Sequence, residues 1–237
     1  MRGRDFKSSS DLKSYFHPQM SAKIYHKGAF YHVYNRGVRR GDIFMDSDDY
    51  TYFLKRLRYY KNKYKIALLA YVLMPNHIHL QTKQLTEDKP MWRMMQYVCN
   101  GYTLFFNKKY NMAGRLFESQ FKAIFIDTEE YLSYVSAYIH LNPIDLGYTV
   151  DNLQTYPWSS YPEYIGMRNG TLPAQFFLFR EFGGRDFKSN EDLKSFHREY
   201  RTFVEAGIPY RVEKNLGKYL IEEDGKGFKS LTDLKPS

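Results

Sequence analysis

Apolar and polar residues change period several times along the chain, and these changes predict an order of strands and helices. Four segments alternate or form short apolar runs, as strands do; they are residues 29–38, 66–74, 77–82 and 114–126. Three segments repeat apolar residues at helical spacing; they cover about 47–63, 90–110 and 127–141. The order strand, helix, strand, strand, helix, strand, helix matches an α+β, ferredoxin-like split βαβ fold, with a central antiparallel sheet and an added tyrosine-bearing helix.

Capping residues indicate where the helices begin and end. Ser47, followed by two acids, is the expected N-cap of the first helix, and the acidic stretch from Asp127 to Glu130 is expected to cap the third. Pro143 is expected to stop the third helix, because the residue before a proline avoids the α conformation.

Proline-rich, irregular sequence follows about Tyr148, so we expect an N-terminal extension over 1–27, a catalytic domain over 28–166 and a C-terminal accessory region over 167–237. The string Gly-Arg-Asp-Phe-Lys-Ser-x-x-Asp-Leu-Lys-Ser occurs at Gly3 and at Gly184, and a related string begins at Gly227. Each copy has Ser-x-x-Asp at capping-box spacing, which predicts that each begins a short helix; the pairs are Ser8/Asp11, Ser189/Asp192 and Ser230/Asp233.

The chain is basic, with 35 Lys and Arg against 26 Asp and Glu, a formal charge of +9 and a pI near 9.3. This balance favours nucleic acid as a partner over a membrane surface, although a solvated Lys-rich surface is the plainer alternative. The one cysteine excludes an internal disulfide and a multi-cysteine zinc site. The longest apolar run, 66–74, is too short to span a bilayer, and the polar N-terminus lacks a signal-peptide core, so we expect a cytoplasmic protein.

Two histidines lie one residue apart in the stretch LMPNHIHLQ, residues 73–81. On a strand, His77 and His79 share one face while Ile78 points to the other. Two neutral imidazoles can bind a divalent ion, with an oxygen ligand and water or substrate phosphate completing its coordination. The alternative is a pair of histidines that make ordinary hydrogen bonds on a half-buried strand.

Three tyrosines and an asparagine recur along the third predicted helix. Tyr131, Tyr134, Tyr138 and Asn142 fall on roughly one helical face. A tyrosine hydroxyl beside a metal-bound phosphate is an attacking group, and Asn142 can supply the missing oxygen ligand. A tyrosine-rich amphipathic helix packed on the sheet is the alternative.

Five sequence blocks, in this order and spacing, resemble the REP-associated tyrosine transposases, which belong to the small single-tyrosine HUH (His-hydrophobic-His) transposases. The blocks are YHVYNRG at Tyr31, AYVLMPNHIHL at Ala70, GRLFESQFKA at Gly114, YIHLNPI at Tyr138 and YPWSSYPEYIG at Tyr156. The resemblance covers about residues 29–166.

The resemblance implies a role for each matching residue. His77 and His79 are expected to bind Mg²⁺ or Mn²⁺ with Asn142 as a polar third ligand, and Tyr138 is expected to be the nucleophile. It implies cleavage of single-stranded DNA beside a hairpin, through a covalent 5′-phosphotyrosine and a released 3′-hydroxyl. Tyr134 lies on nearly the same face, so the assignment of Tyr138 depends on the YIHLNP match. His140, half a turn from Tyr138, is expected to face elsewhere, at the surface, with contact to a base or phosphate as the alternative.

Five basic residues are expected to contact DNA, although each is equally explained as a solvated charge; they are Arg36, Arg39, Arg40, Arg115 and Lys122. The first three, together with the Lys55 to Lys65 helix face, are candidates for phosphate contacts, and Arg115 and Lys122 lie in a matching block and are expected near the active site. The relatives imply a chain that acts as a monomer, with a homodimer as the alternative. Two other functions stay open: a domesticated relative that binds DNA or RNA hairpins without cutting them, and a hydrolytic phosphoesterase that uses metal-bound water.

Overall fold

A computed structural model of the chain describes residues 25–87, 90–173 and 189–206, which fall in one compact unit. Its strands are β1 (Phe30–Arg36), β2 (Ile66–Met74), β3 (His77–Gln84) and β4 (Lys122–Ile126). Its α-helices are α1 (Ser47–Lys63), α2 (Pro90–Tyr110), α3 (Glu129–Leu141), α4 (Tyr161–Tyr164) and α5 (Asn190–Ala206). Short 3-10 helices cover Val38–Arg40, Asn142–Leu146 and Leu153–Thr155.

The four strands form one antiparallel sheet in the order β2-β3-β1-β4. Strand β1 therefore lies between β3 and β4, and each helical crossover joins two parallel strands that have one antiparallel strand between them. This is the split βαβ arrangement, and the predicted ferredoxin-like fold is confirmed. None of the described helices is long and apolar enough to cross a membrane.

Helices cover both faces of the sheet. Helices α1 and α2 pack over one face, with Val33, Ile78 and Leu80 among the residues of that core. Helices α3, α4 and α5 belong to the second core. Strand β2 is buried along its whole length because it contributes to both cores, which explains its unbroken apolar run.

A bulge in β2 adjusts which residues reach each core. The pairing of β2 with β3 shifts between Leu68 and Ala70, so Leu69 is the extra residue. Leu69 and Ala70 both join the core on the α3 side, whereas Leu68 joins the core on the α1 side. Side chains of a strand point alternately to its two faces, so one extra residue exchanges the faces of all residues that follow it.

Helix α1 begins one residue earlier than the sequence indicates, because its N-cap is Asp46 and not Ser47. The Asp46 carboxylate accepts hydrogen bonds from the backbone of Asp48 and Asp49, and Asp49 completes a reciprocal capping box. The Lys109 ammonium lies 2.6 Å from Asp46 and 2.8 Å from Asp49, which ties the end of α2 to this cap. An aspartate at the cap forms an ion pair with this lysine, whereas an uncharged serine cannot.

Only the second half of the fourth predicted strand is a strand. Residues Lys122–Ile126 pair with β1, whereas the chain before them is irregular and makes a single bridge from Phe117 to Gly37. Leu116, Phe117 and Phe121 are nonetheless buried in the α1-side core. Their apolar pattern reflects a loop packed on the core, so the prediction of a strand from 114 was wrong.

The α-helical hydrogen bonding of α3 ends at Leu141, as predicted, but the reason given from Pro143 was wrong. Asn142 keeps the right-handed helical conformation, with φ −52° and ψ −38°, and the chain continues as a 3-10 helix. Pro143 lies in the first turn of that helix, where its missing N–H costs no hydrogen bond. The turn ends at Gly147, which has φ of 89°.

Helix α5 begins with the middle copy of the repeated segment. Asp192 N donates to Ser189 Oγ at 3.1 Å and Ser189 N donates to Asp192 Oδ2 at 2.9 Å, so the predicted capping box is present. The copies at Ser8/Asp11 and Ser230/Asp233 lie outside the described residues. Helix α5 contacts α3 and α4, and these contacts cross the predicted boundary at residue 166; the domain limits themselves stay predictions.

Candidate active site

The two histidines of β3 face helix α3, as their spacing indicates. Ile78 and Leu80, between and after them, are fully buried in the opposite core. Gln81, two residues beyond His79, lies on the histidine face and donates to Leu132 O of α3 at 2.6 Å. His77 is half-buried, and His79 is 1% exposed. Helix α3 therefore covers His79 and Gln81, whereas His77 stays partly open.

His77 is held between two asparagines. Its Nδ1 lies 2.6 Å from Asn76 Oδ1, and its Nε2 lies 3.3 Å from Asn142 Oδ1. Asn76 Nδ2 donates to Arg40 O at 3.1 Å, which orients the Asn76 oxygen towards the ring. Asn142 Nδ2 donates to Tyr138 O at 2.9 Å, which orients the Asn142 oxygen in the same way. Both amides thus present acceptors to the imidazole.

This arrangement fits a cation. A neutral imidazole has one N–H, and with Nδ1–H donated to Asn76 the Nε2 atom presents its lone pair to Asn142 Oδ1. Two acceptors 3.3 Å apart repel each other unless a proton or a cation lies between them. Imidazole nitrogen and amide oxygen are donors that divalent ions accept, so the residues present fit the expected ion.

His79 contacts a third histidine, which the sequence analysis did not single out. His32 Nε2 on β1 lies 2.9 Å from His79 Nδ1, and the two rings stack with centroids 5.1 Å apart. His32 is 1% exposed, and burial lowers its pKa to about 3, so it is neutral at physiological pH. When His79 Nδ1 donates this bond, His79 Nε2 keeps the lone pair that a metal ion needs.

Tyr138 lies against this histidine pair. Its ring meets His79 edge-on, with centroids 5.3 Å apart at 87°, and meets His32 at 5.9 Å and 74°. Tyr134, one turn earlier, is 44% exposed and packs beside Phe203 of α5, with ring centroids 6.2 Å apart. The structure therefore brings together four of the predicted residues, His77, His79, Tyr138 and Asn142.

Tyr131, at the start of α3, is half-buried. Burial first, and then the negative charge of Asp127, raises the pKa of its phenol above the ordinary range. This environment opposes formation of a phenolate at Tyr131.

His140 is buried, so its expected surface position was wrong. Its Nδ1 lies 2.7 Å from the Tyr200 hydroxyl of α5, and its Nε2 lies 2.8 Å from Ser160 Oγ. Burial lowers the pKa of His140 to about 3. A position half a turn from Tyr138 faces away from His77 and His79, as predicted, but α4 and α5 cover that side.

The five basic residues lie in different environments. Arg36 pairs with His77 across β1 and β3 and forms an ion pair with Glu118. Lys122 of β4 pairs with Tyr34 of β1, and the Lys122 Nζ atom lies 6.0 Å from the centre of the Tyr34 ring. Both belong to the face that bears the histidines.

The other three basic residues are exposed and lie outside the strands and α-helices. Arg39 and Arg40 both have positive φ, 54° and 60°, which is an unfavourable backbone for residues with a side chain. The Arg40 carbonyl accepts the bond from Asn76, so this loop is connected to His77. Arg115 is exposed before Leu116, with no contact that connects it to the histidines.

Two residues of this site, His32 and Asn76, had signals in the sequence. His32 stands two positions before Tyr34 in the YHVYNRG block, and Asn76 directly precedes His77. The alternation of β1 predicts that His32 shares a face with Tyr34, but only the register of β1 on β3 places that face beside His79. Across residues 25–87, 90–173 and 189–206, no group of three His, Cys, Asp or Glu side chains converges as a ligand set. The candidate centre is two histidines and an amide.

Comparison with known proteins finds one family model and similar solved structures. A family model described as "Transposase IS200 like" matches residues 26–142. The solved structure of a REP-associated tyrosine transposase bound to a REP hairpin is similar at a TM-score of 0.50, with 15% identity over 72% of this chain and 94% of that one. A crystal structure from Deinococcus radiodurans R1, described as a transposase, has a TM-score of 0.35, with 15% identity over 51% of this chain and 95% of that one.

None of the curated proteins matches the chain. The matched family segment begins beside β1 and ends at Asn142, so it contains both histidines of β3 and the helix that bears Tyr138. Over residues 26–142 the chain belongs to the IS200-like transposase family.

Proposed function

We propose that this transposase is a metal-dependent single-strand DNA endonuclease and strand transferase that acts at hairpin-forming repeats, with Tyr138 as its nucleophile. One observation carries the proposal: the last turn of α3 presents Tyr138 to His79 and Asn142 to His77. One helix end thus contributes both the attacking group and an oxygen ligand. A protein that only binds hairpins has no need for this combination.

The proposed reaction is a transesterification. The Tyr138 hydroxyl oxygen bonds to phosphorus and loses its proton, the bond from phosphorus to the 3′ oxygen breaks, and that oxygen leaves as a hydroxyl after gaining a proton. The 5′-phosphate stays on Tyr138 as a phosphotyrosine. A second 3′-hydroxyl reverses the step, so one phosphodiester replaces another and no nucleotide cofactor is needed.

His77 Nε2, His79 Nε2 and Asn142 Oδ1 would hold the ion. Magnesium or manganese, when bound there, would polarise a phosphate oxygen and offset the charge that develops as the leaving oxygen departs. Asn76 and His32 would hold the two imidazoles in the tautomer that leaves Nε2 unprotonated. Burial by α3 would exclude bulk water from the reacting phosphate, which disfavours hydrolysis.

A DNA hairpin is the proposed substrate. The solved relative with TM-score 0.50 is a REP-associated tyrosine transposase bound to a REP hairpin. In this chain, Arg36 and Lys122 lie on the sheet face of the histidines, where they would contact phosphates of the cleaved strand. Since His77, His79 and Tyr138 of one chain meet, we propose that a monomer suffices for cleavage.

The test is incubation of the purified protein with labelled hairpin-bearing single strands in Mg²⁺ or Mn²⁺, followed by a denaturing gel. The expected result is a slow-migrating protein–DNA adduct that is absent with Tyr138→Phe and with His77→Ala. Tyr134→Phe is the matched control and should keep the adduct. Cleavage without an adduct that survives Tyr138→Phe would indicate hydrolysis. Binding without cleavage in either ion would leave only the hairpin-binding role.

A further inference from the structure

Helices α1 and α2 present a basic and aromatic surface on the side of the sheet away from Tyr138. We call it the basic-aromatic face; its members are Arg56, Tyr59, Tyr60, Lys63, Tyr64, Arg93 and Tyr97. Both helices pack on the core that contains Ile78 and Leu80, whereas Tyr138 packs on the other core. The face is therefore separate from the candidate active site.

Beyond the first turn of α1, these two helices carry basic residues and no acidic ones. Residues 51–65 contain six Lys or Arg, residues 90–110 contain three, and neither segment contains an Asp or Glu. Of these nine cations, Lys109 alone has a carboxylate partner among the residues that the structure describes, and its partners Asp46 and Asp49 precede residue 51. An excess of this kind attracts a polyanion.

Three tyrosines of the face stack nearly parallel. Tyr60 and Tyr97 have centroids 5.4 Å apart at 9°, and Tyr64 lies 6.0 Å from Tyr97 at 17°. Tyr97 is 49% exposed, and Tyr59, which meets Tyr60 edge-on, is 61% exposed. Although Tyr97 also packs between the helices, both side chains leave about half of their surface open to solvent, where a base can stack.

The cations lie among these rings. Arg56 stands 5.2 Å from the centre of the Tyr60 ring, and its Nη2 donates to Tyr97 O at 2.6 Å. A Cβ at Gly101 would lie 1.8 Å from the same nitrogen, so only glycine leaves room for Arg56 to cross α2. Burial and the neighbouring Tyr97 raise the pKa of Tyr64, and Lys63 and Arg93 lie close enough to oppose part of that rise.

We infer that the basic-aromatic face binds single-stranded DNA, with bases stacked on Tyr59 and Tyr97 and phosphates beside Lys63 and Arg93. Exposed rings interleaved with cations suit unpaired bases of any sequence, because every base has a face that stacks. The inference rests on the proposed function only in taking DNA as the nucleic acid. A strand held here lies across the sheet from Tyr138 and so is a segment other than the one cleaved.

The test measures binding of fluorescent oligo(dT), which forms no hairpin, to the full-length protein by anisotropy in EDTA at several salt concentrations. Tyr59→Ala with Tyr97→Ala removes two stacking rings and should weaken binding about 30-fold or more at each salt concentration. Lys63→Gln with Arg93→Gln should lower the slope of log affinity against log salt by roughly 1.4, about 0.7 for each phosphate that the protein no longer neutralises.

Matched controls lie elsewhere on the molecule. Phe125→Ala removes an aromatic ring that is 47% exposed on β4, and Lys194→Gln with Arg198→Gln removes two cations from α5. Both should bind as the wild type does. If the face variants match these controls in affinity and salt slope, the inference is wrong. The assay needs neither metal nor cleavage, so a failure of Tyr138 chemistry leaves its result unchanged.

Discussion

His32 Nε2 and His79 Nδ1 lie 2.9 Å apart in a buried part of the sheet. His32 comes from β1 and His79 from β3, and β1 carries no other histidine. One of the two nitrogens must donate this bond, and donation by His79 Nδ1 leaves His79 Nε2 unprotonated. Partners of this kind typically orient metal-binding histidines in proteins.

Replacement of His32 should weaken metal binding in a way that depends on the replacement. His32→Phe keeps a buried ring but removes the acceptor, and we expect Mn²⁺ affinity to fall about 10- to 100-fold. His32→Gln keeps an acceptor and should recover part of that loss. Calorimetric titration with Mn²⁺ in the absence of DNA measures the effect. His26→Gln, at an exposed histidine, is the control; equal Mn²⁺ affinity in His32→Phe and in this control would contradict the role of His32.

Asn142 combines two functions that substitution can separate. Its Oδ1 faces His77, and its Nδ2 donates to the carbonyls of Tyr138 and Ile139 at the end of α3. Asn142→Asp keeps an oxygen and adds charge, so Mn²⁺ affinity should equal or exceed that of the wild type. The lost donor should cost roughly 1–3 kcal/mol of unfolding free energy.

Asn142→Leu completes the comparison, because it removes the oxygen and the donor together. It should lose Mn²⁺ affinity as well as stability, measured by titration and by thermal melting in EDTA. Undiminished Mn²⁺ binding in this variant would show that Asn142 is not a ligand.

Tyr200 connects α5 to the helix that bears Tyr138. Its hydroxyl lies 2.7 Å from His140 Nδ1, and both residues are at most 1% exposed. Tyr200→Phe removes one hydroxyl and leaves a buried polar nitrogen without that partner, which should cost roughly 1–3 kcal/mol. The midpoint of thermal unfolding should fall by roughly 2–10 °C. Tyr59→Phe, at an exposed tyrosine, is the matched control and should shift it by less than about 1 °C.

His140 should make the protein sensitive to mild acid. Burial lowers the folded pKa of His140 to about 3, whereas an unfolded histidine titrates near 6.5. The stability that depends on neutral His140 is therefore complete above pH 6.5 and is lost as the pH falls towards 3. At pH 5 the loss should be roughly 2 kcal/mol.

Thermal unfolding between pH 7.5 and 5 measures this loss. His140→Gln lowers stability at neutral pH, since it disturbs the bonds to Tyr200 and Ser160, but it should flatten the decline below pH 6.5. An unchanged decline would assign the acid sensitivity to other groups, among which buried His32 shifts in the same direction.

Local pattern was sufficient for most of the fold. The unbroken apolar run of β2 and the alternation of β3 predict both strands. A strand buried on both faces has apolar residues at every position, whereas a strand with one polar face has them at every second position. The predictions of the α1 cap and of the start of the fourth strand failed, because contacts distant in sequence determine the structure there. Asp46 replaced Ser47 as a cap because Lys109 of α2 reaches it, and Leu116 and Phe117 are buried without a strand.

Residue spacing along the chain is sufficient to identify the side chains that can carry the chemistry. Spacing on one strand places His77 beside His79, and spacing on one helix places Asn142 four residues after Tyr138, because both periods are properties of the backbone alone. Which faces of the strands and helices contact each other depends on how these elements pack. The register of β1 on β3 brings His32 to His79, and the packing of α3 brings Tyr138 to the same ring while α5 buries His140. These contacts join residues 47 to 60 positions apart, where no local period operates and only the packing of elements sets the distance.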